Sequence, residues 1–384
     1  MAEKAALNKK IGIVGGGQLG KMLAIAAGPM HLQISALDKT KDFPAGPFVH
    51  EFFEGDFKDY DDVYNFGKDK DVVTIEIEHV NAEALMQLQK EGIKVHPNPE
   101  SLNIIKDKGL QKQFYQEKGF PTSGFKIYEG PEAIQAAVTS GEITLPFVQK
   151  MCRGGYDGKG VKVIKTPEDL KSMLPGESLV EDLVDIDKEL AVIVARNESG
   201  ETKAFNAVEM TFNPEANLVE FLLCPARIAP EIEEKAESLA EELICEFDIC
   251  GLLAIEYFLT PSGELLVNEV APRPHNSGHH TIDSCYTSQF EQHLRGVLNL
   301  PLGSTRIKSP AVMVNLLGTE GFTGSAIYEG LDNCLAIEGV NLHLYGKEVT
   351  KPFRKMGHAT ILDDDLDQAI LKAKKVQNEL RIIA

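Results

Sequence analysis

At 384 residues the chain is too long for one ordinary core, so two to four domains are expected. Its composition, 43% hydrophobic and 25% charged, is that of a soluble globular protein. The net charge of −19 argues against nucleic acid or an anionic membrane as partner, because no excess of Lys and Arg is left to neutralise a polyanion; a small phosphorylated ligand needs only a few local cations.

The six cysteines show no C-x-x-C spacing and read as reduced thiols in a cytoplasmic protein. The N-terminus lacks the apolar core of a secretion signal, and no apolar run approaches the ~18 residues of a membrane span. The first hundred residues alternate strand and helix signals. "KIGIVGGG" is a buried strand entering a glycine turn, and "QLGKMLAIAAGPM" is a helix stopped by Gly-Pro. "LQISALD", "DVVTIEIEHV" and "IKVHPNP" are further strands, with the capped helix "NAEALMQLQKEG" between the last two. This is a βαβ pattern and predicts a parallel sheet with helices on its faces. A helix, "GLQKQFYQEKG", then leads into a smaller unit whose two strands flank a glycine-rich loop. From about Asp187 the chain is strand-rich around one clear helix, "EIEEKAESLAEELICEF", and it closes with strands and the helix "LDQAILKAKKVQNEL".

Three stretches carry chemistry. "GGGQLG" fits G-x-G-x-x-G after a strand, with Asp38 ending the next strand, which is the dinucleotide fingerprint in its proper setting. Its physics is broader than that, since a glycine turn at a helix start offers bare N–H groups to any anion. "RGGYDGKG" does not match a Walker loop, and the strand "VKVIK" follows it rather than a helix. It predicts a flexible loop between antiparallel strands, with Lys159 and backbone N–H groups facing phosphate oxygens and Lys150 on the strand before.

The third stretch is "EYFLTPSGELLVNEVAPRPHNSGHH". Read as a two-residue hairpin turn at Ser262-Gly263, "PSGE" pairs Pro261 with Glu264 and, counting back, Glu256 with Glu269. Two carboxylates facing each other across a ribbon repel unless a cation lies between them. Oxygen-only ligands, Glu256 and Glu269 with the Asn268 amide, suit Mg²⁺ bridging to phosphates. A zinc site at His275, His279 and His280 is the weaker reading, because no fourth ligand is near.

With these stretches in this order, the sequence resembles the ATP-grasp enzymes and, within them, the ATP-dependent N5-carboxyaminoimidazole ribonucleotide synthases of purine biosynthesis. The resemblance also rests on "TIEIEHV", "PARI", "SQFEQHLRGVLNLPLG", "LHLYGK" and "RKMGHAT". It implies a fold that is α/β and α+β: an N-terminal parallel βαβ (pre-ATP-grasp) domain over 1–107, a small ATP-grasp lid over 108–186, a large ATP-grasp domain over 187–305 and a C-terminal mixed-sheet extension over 306–384. It implies ATP as co-substrate, Mg²⁺, bicarbonate and aminoimidazole ribonucleotide as ligands, carboxyphosphate as intermediate, and a cytoplasmic homodimer.

Residue by residue, the resemblance assigns ATP to Lys108, Lys150, Gly155, Tyr156, Asp157, Gly158, Lys159, Gly160, Glu181, Asp182, Leu183, Val184, Glu189 and Asn268. Metal falls to Glu256 and Glu269. The ribonucleotide falls to Gln18, Leu19, Glu76, Asn276, Lys347, Arg354 and Lys355. Tyr156, Asp157, Arg273 and His275 are the candidates for bicarbonate and carboxyphosphate. Two positions depart from the family pattern: Asn217-Leu218-Val219 replaces a frequent Asn-x-His, and Lys108 stands where Arg is common. The rival readings are a formate-dependent glycinamide ribonucleotide transformylase, a nicotinamide-dependent oxidoreductase resting on "GGGQLG" and Asp38, and a non-catalytic ATP-binding regulatory module.

Overall fold

The computed structural model describes residues 6–155, 160–213 and 218–384. Tyr156, Asp157, Gly158 and Lys159, named above as ligands, and Asn217 lie outside the described residues.

The N-terminal strands Lys10–Val14, Gln33–Asp38, Glu51–Glu54, Val72–Ile75 and Lys94–His96 form one parallel sheet. Its first strand is central, flanked by Gln33–Asp38 on one side and Val72–Ile75 on the other. The direction of chain winding reverses between Lys10–Val14 and Val72–Ile75, so a crevice opens at their carboxyl ends. "GGGQLG" and Glu76 leave the sheet at that crevice. The reading above did not pick out the edge strand Glu51–Glu54 or the helix Tyr60–Gly67; the strand is short and half exposed, with no run of apolar residues to mark it.

A four-stranded antiparallel sheet follows, with Phe147–Met151 paired to Val161–Ile164 on one side and Ser178–Asp182 on the other. The predicted loop between antiparallel strands is therefore present. Its base is pinched: a Cβ on Gly160 would meet Gly155 Cα at 3.0 Å, and φ at Gly160 is +84°.

Among the described residues the largest sheet has nine strands. Its path runs from Leu265–Ala271 through Gly251–Leu259, Lys188–Arg196, Val208–Asn213 and Leu218–Cys224 to Ala311–Leu317, Lys355–Leu362 and Val340–Leu344. The helix Pro230–Glu246 packs an apolar core against its first part, and Leu366–Glu379 covers its last. No helix among the described residues is long and apolar enough to cross a membrane.

The hairpin corrects the sequence reading in an instructive way. Thr260 N–H donates to Glu264 O at 2.9 Å, so the tip holds three residues, Pro261 to Gly263, with Gly263 at φ +80°. That shifts the register by one: Leu259 pairs with Leu265 and Tyr257 with Val267. A bulge then restores it, so that Glu256 does face Glu269. The extra residue is Asn268. In a regular strand Asn268 and Glu269 would point to opposite faces; the bulge brings both to one side.

Candidate active site

Three carboxylates share one face of the large sheet. Ala191 sits across from Glu256, which places Glu189, two residues back, diagonal to it, and Glu269 sits opposite Glu256 on the far side. Burial and the neighbouring Glu269 and Glu189 push the Glu256 carboxyl up to about 8. Glu269 goes the other way, down to about 2, because the Lys108 ammonium lies against it. Burial raises Glu189 to about 7. This is the electrostatic problem anticipated from the register, and Lys108 relieves it at Glu269 alone.

Lys108 opens the helix Lys108–Lys118. Asp107 caps that helix, accepting from Gly109 N–H at 2.9 Å and Leu110 N–H at 3.1 Å. The same cap pairs with Arg153 at 2.7 Å, and Lys108 N–H donates to Cys152 O at 2.8 Å. The helix start is thus tied to the glycine-rich loop.

One turn on, Lys112 reaches Glu181 at 2.5 Å, and Lys150 reaches the other Glu181 oxygen at 2.5 Å. Glu181 is 3% exposed; burial alone would raise it, but the two ammonium groups hold it at about 2. Lys150 also donates to Asn268 Oδ1 at 2.8 Å. Asp182 and Leu183 are exposed beyond it and Val184 is half-buried. Lys112 was not anticipated. Its i, i+4 spacing from Lys108 on one helix face was the available signal.

At the N-terminal crevice, Glu76 answers the glycine fingerprint. Its carboxylate accepts from Gly17 N–H at 2.7 Å and from Gly20 N–H at 2.9 Å. The anion position at the start of the Gln18–Ala27 helix is therefore filled by a side chain of the protein itself. A Cβ on Gly17 would stand 2.6 Å from Glu76 Oε1, so the glycine makes room for the acid. Asp38, which a dinucleotide reading would place on a ribose, accepts from Gly16 N–H and Lys39 N–H, each at 2.8 Å. Gln18 is half-buried at the helix start, while the Leu19 side chain belongs to the core.

The loop after Ala271 links these regions. Arg273 pairs with Glu78 at 2.7 Å, and His275 Nε2 lies 3.8 Å from Glu256 Oε1. Burial, then the Arg273 charge, brings His275 down to about 4, so it is neutral. The three imidazoles of the zinc reading are engaged separately: His275 with Ser277 Oγ at 2.9 Å, His279 with Gln289 at 3.0 Å and His280 with Ser277 O at 3.1 Å. No three His, Cys, Asp or Glu groups converge on a metal position among the described residues.

Asn276 donates to Asn315 Oδ1 at 2.8 Å. Lys347 donates to Lys355 O at 2.7 Å, and Arg354 donates to Val349 O, so two of the three predicted cations rest on backbone carbonyls around the start of the strand Lys355–Leu362. Lys21, also unanticipated, joins them by donating to Leu344 O at 2.8 Å.

The chain matches the family model of ribonucleotide synthetase preATP-grasp domains over 8–106, of ATP-grasp domains over 113–290 and of phosphoribosylaminoimidazole carboxylase C-terminal domains over 311–372. It is 38% identical over 364 residues to the N5-carboxyaminoimidazole ribonucleotide synthase of Bacillus subtilis, covering 94% of this chain and 93% of that protein. The crystal structure of N5-carboxyaminoimidazole ribonucleotide synthetase from Thermotoga maritima superposes with a TM-score of 0.90 at 44% identity, covering 98% of this chain and 99% of that one. The Aspergillus clavatus synthase solved with ADP and 5-aminoimidazole ribonucleotide gives 0.88 at 30% identity, over 97% and 98%.

Proposed function

The chain belongs to the N5-carboxyaminoimidazole ribonucleotide synthases, ATP-grasp ligases of purine biosynthesis, and from that premise we propose how its cleft divides the reaction. ATP and bicarbonate give carboxyphosphate and ADP. The amine of aminoimidazole ribonucleotide then takes the carboxyl group, and phosphate leaves with the amine proton.

ATP lies between the two antiparallel sheets. Lys150, Lys108 and the 155–160 loop hold its phosphates, the 181–184 segment meets the adenine, and Glu189 the ribose. Glu256, Glu269 and the bulged Asn268 offer oxygen donors alone, on one face, with Glu256 short of positive charge; that set fits Mg²⁺. The metal would neutralise charge on the phosphates being transferred. The placement of Glu256 and Glu269 opposite each other on one face, with Lys108 and Lys150 reaching that face, carries this reading.

Arg273 and neutral His275 lie between that face and the N-terminal crevice, where bicarbonate would sit. Gln18, the Leu19 backbone, Glu76, Asn276 and the Lys347, Arg354 and Lys355 cluster would take the ribonucleotide, its 5′-phosphate on the cations. The filled anion position at Gly17 and Gly20 speaks against a nicotinamide dinucleotide. The match at 311–372 to carboxylase C-terminal domains favours carboxylation over formyl transfer.

Phosphate release measured with ATP, Mg²⁺ and aminoimidazole ribonucleotide, with and without bicarbonate, tests the proposal. Release that needs bicarbonate and yields an acid-labile carbamate is expected. Release driven equally well by formate would overturn it.

A further inference from the structure

Arg273 is held by a residue that the site assignments do not include. The segment "TIEIEHV" carries two acids separated by Ile77, which packs into the N-terminal core. Glu76 serves the glycine turn, as described. Glu78 reaches across from the N-terminal unit to the large-sheet loop and meets Arg273 at 2.7 Å. The side chains are 18% and 19% exposed, so the pair is largely shielded from water. Burial alone would raise Glu78; the Arg273 charge beside it draws it below the ordinary carboxylate range, so the acid stays charged.

A guanidinium is planar, and its donors sit in a fixed fork. The Glu78 carboxylate lies against Nε as a charge contact off the N–H axis, and the Pro274 carbonyl accepts from Nη1 at 3.0 Å. The hydrogen bond at Nη1 directs one edge of the group, and the carboxylate against Nε draws the charge toward the N-terminal unit, so the two together limit how far the group swings. The Pro274 anchor belongs to the same loop and moves with it. Glu78 belongs to a different part of the chain, so it fixes Arg273 relative to the crevice where the ribonucleotide amine would lie.

We propose that Glu78 is a positioning residue for carboxyl transfer: it orients the Arg273 guanidinium toward bicarbonate and the carboxyphosphate formed from it, and so registers the activated carboxyl group with the amine. This rests on the reading of Arg273 as the bicarbonate ligand. Glu78 touches no substrate in this scheme; its effect passes through Arg273.

The test is a double-mutant cycle with Glu78→Ala, Arg273→Ala and the pair, in the full chain. The KM for bicarbonate, the KM for ATP and the fraction of ATP hydrolysed without carbamate formation are followed. Glu78→Ala is expected to raise the bicarbonate KM about 10-fold and the uncoupled fraction several-fold, with the ATP KM within about 2-fold. The double variant should be no worse than Arg273→Ala. Glu78→Gln keeps an oxygen for Nε and should recover part of the loss; it also serves if the alanine variant melts early. Strict additivity, or equal damage to the ATP and bicarbonate constants, would overturn the positioning role while leaving Arg273 in place. An Arg273→Ala variant with unaltered bicarbonate kinetics would instead remove the reading on which it rests.

Discussion

The two halves of the cleft manage charge in opposite ways. In the nucleotide half, ions face ions: Lys108 on Glu269, and Lys112 and Lys150 on Glu181. In the ribonucleotide half, the Glu78–Arg273 pair at its border aside, polar side chains rest on backbone and amide groups: Glu76 on Gly17 and Gly20, Lys347 on the Lys355 carbonyl, Asn276 on Asn315. Ion pairs can exchange partners when a charged ligand arrives, at the cost of one Coulomb contact for another. Backbone groups stay in place while their turn is intact, so a side chain that rests on them is offered the same position each time it returns. The nucleotide half is thus ready to be re-paired, and the ribonucleotide half is a preformed mould.

The largest break in this contrast should come from Glu269→Gln. It removes the carboxylate that Lys108 pairs with and that the proposed metal would use, and kcat for bicarbonate-dependent ATP hydrolysis should fall about 10³-fold with the circular dichroism spectrum unchanged. Turnover within a few-fold of wild type would mean that the re-pairing idea is wrong.

Lys112→Met comes next. It leaves buried Glu181 with one ammonium instead of two, and chemical denaturation should show a loss of about 3 kcal/mol, together with a raised KM for ATP. No loss would show that Lys150 alone balances the acid.

On the mould side, His293 ties the large-sheet helix Gln289–Val297 to the N-terminal sheet through Thr74 Oγ1 at 2.8 Å. Burial brings its pKa down to about 3, against an ordinary value near 6.5. The folded chain thus keeps it neutral while the unfolded chain takes up a proton. Its contribution is complete above about 6.5 and is lost as the pH falls below that, amounting to about 2 kcal/mol at pH 5. His293→Gln should therefore lose less stability between pH 7.5 and 5 than the parent chain. Parallel curves would exclude His293 as an acid-sensitive contact.

The smallest expected effect is that of Lys347→Ala: about a 10-fold higher KM for the ribonucleotide and an ATP KM within about 2-fold. Equal changes in both constants would dissolve the division between the halves.

Much of the plan could be read from the sequence because it depends on local pattern. Alternating strands and helices predicted the parallel sheet, and "PSGE" predicted a hairpin. The glutamate pairing came out right although the hairpin tip was misjudged by one residue, since the bulge at Asn268 cancelled the error. Nothing local distinguishes a bulge-forming asparagine from any other in an apolar strand. Lys112 had a local signal in its spacing from Lys108, but nothing local named what it, Lys21 or Glu78 would meet. Their partners, Glu181, the Leu344 carbonyl and Arg273, lie far along the chain, and only the folded contacts reveal them. The glycine fingerprint was legible as an anion-binding turn, but not that its anion would be Glu76, some sixty residues on.

The order of strands in the large sheet has a consequence for shape. Glu256 lies on the second strand of the path and Asn315 on the sixth, which a flat ladder would hold roughly 19 Å apart. Yet His275 approaches Glu256 and the very next residue bonds Asn315, although adjacent Cα atoms are only about 3.8 Å apart. The reach of the four side chains makes up the difference, so the 272–276 segment lies across the sheet as a strap joining its second strand to its sixth. Lengthening that strap by a residue or two would slacken the tie between Glu256 and Asn315, and the two ends of the cleft would lose their fixed spacing.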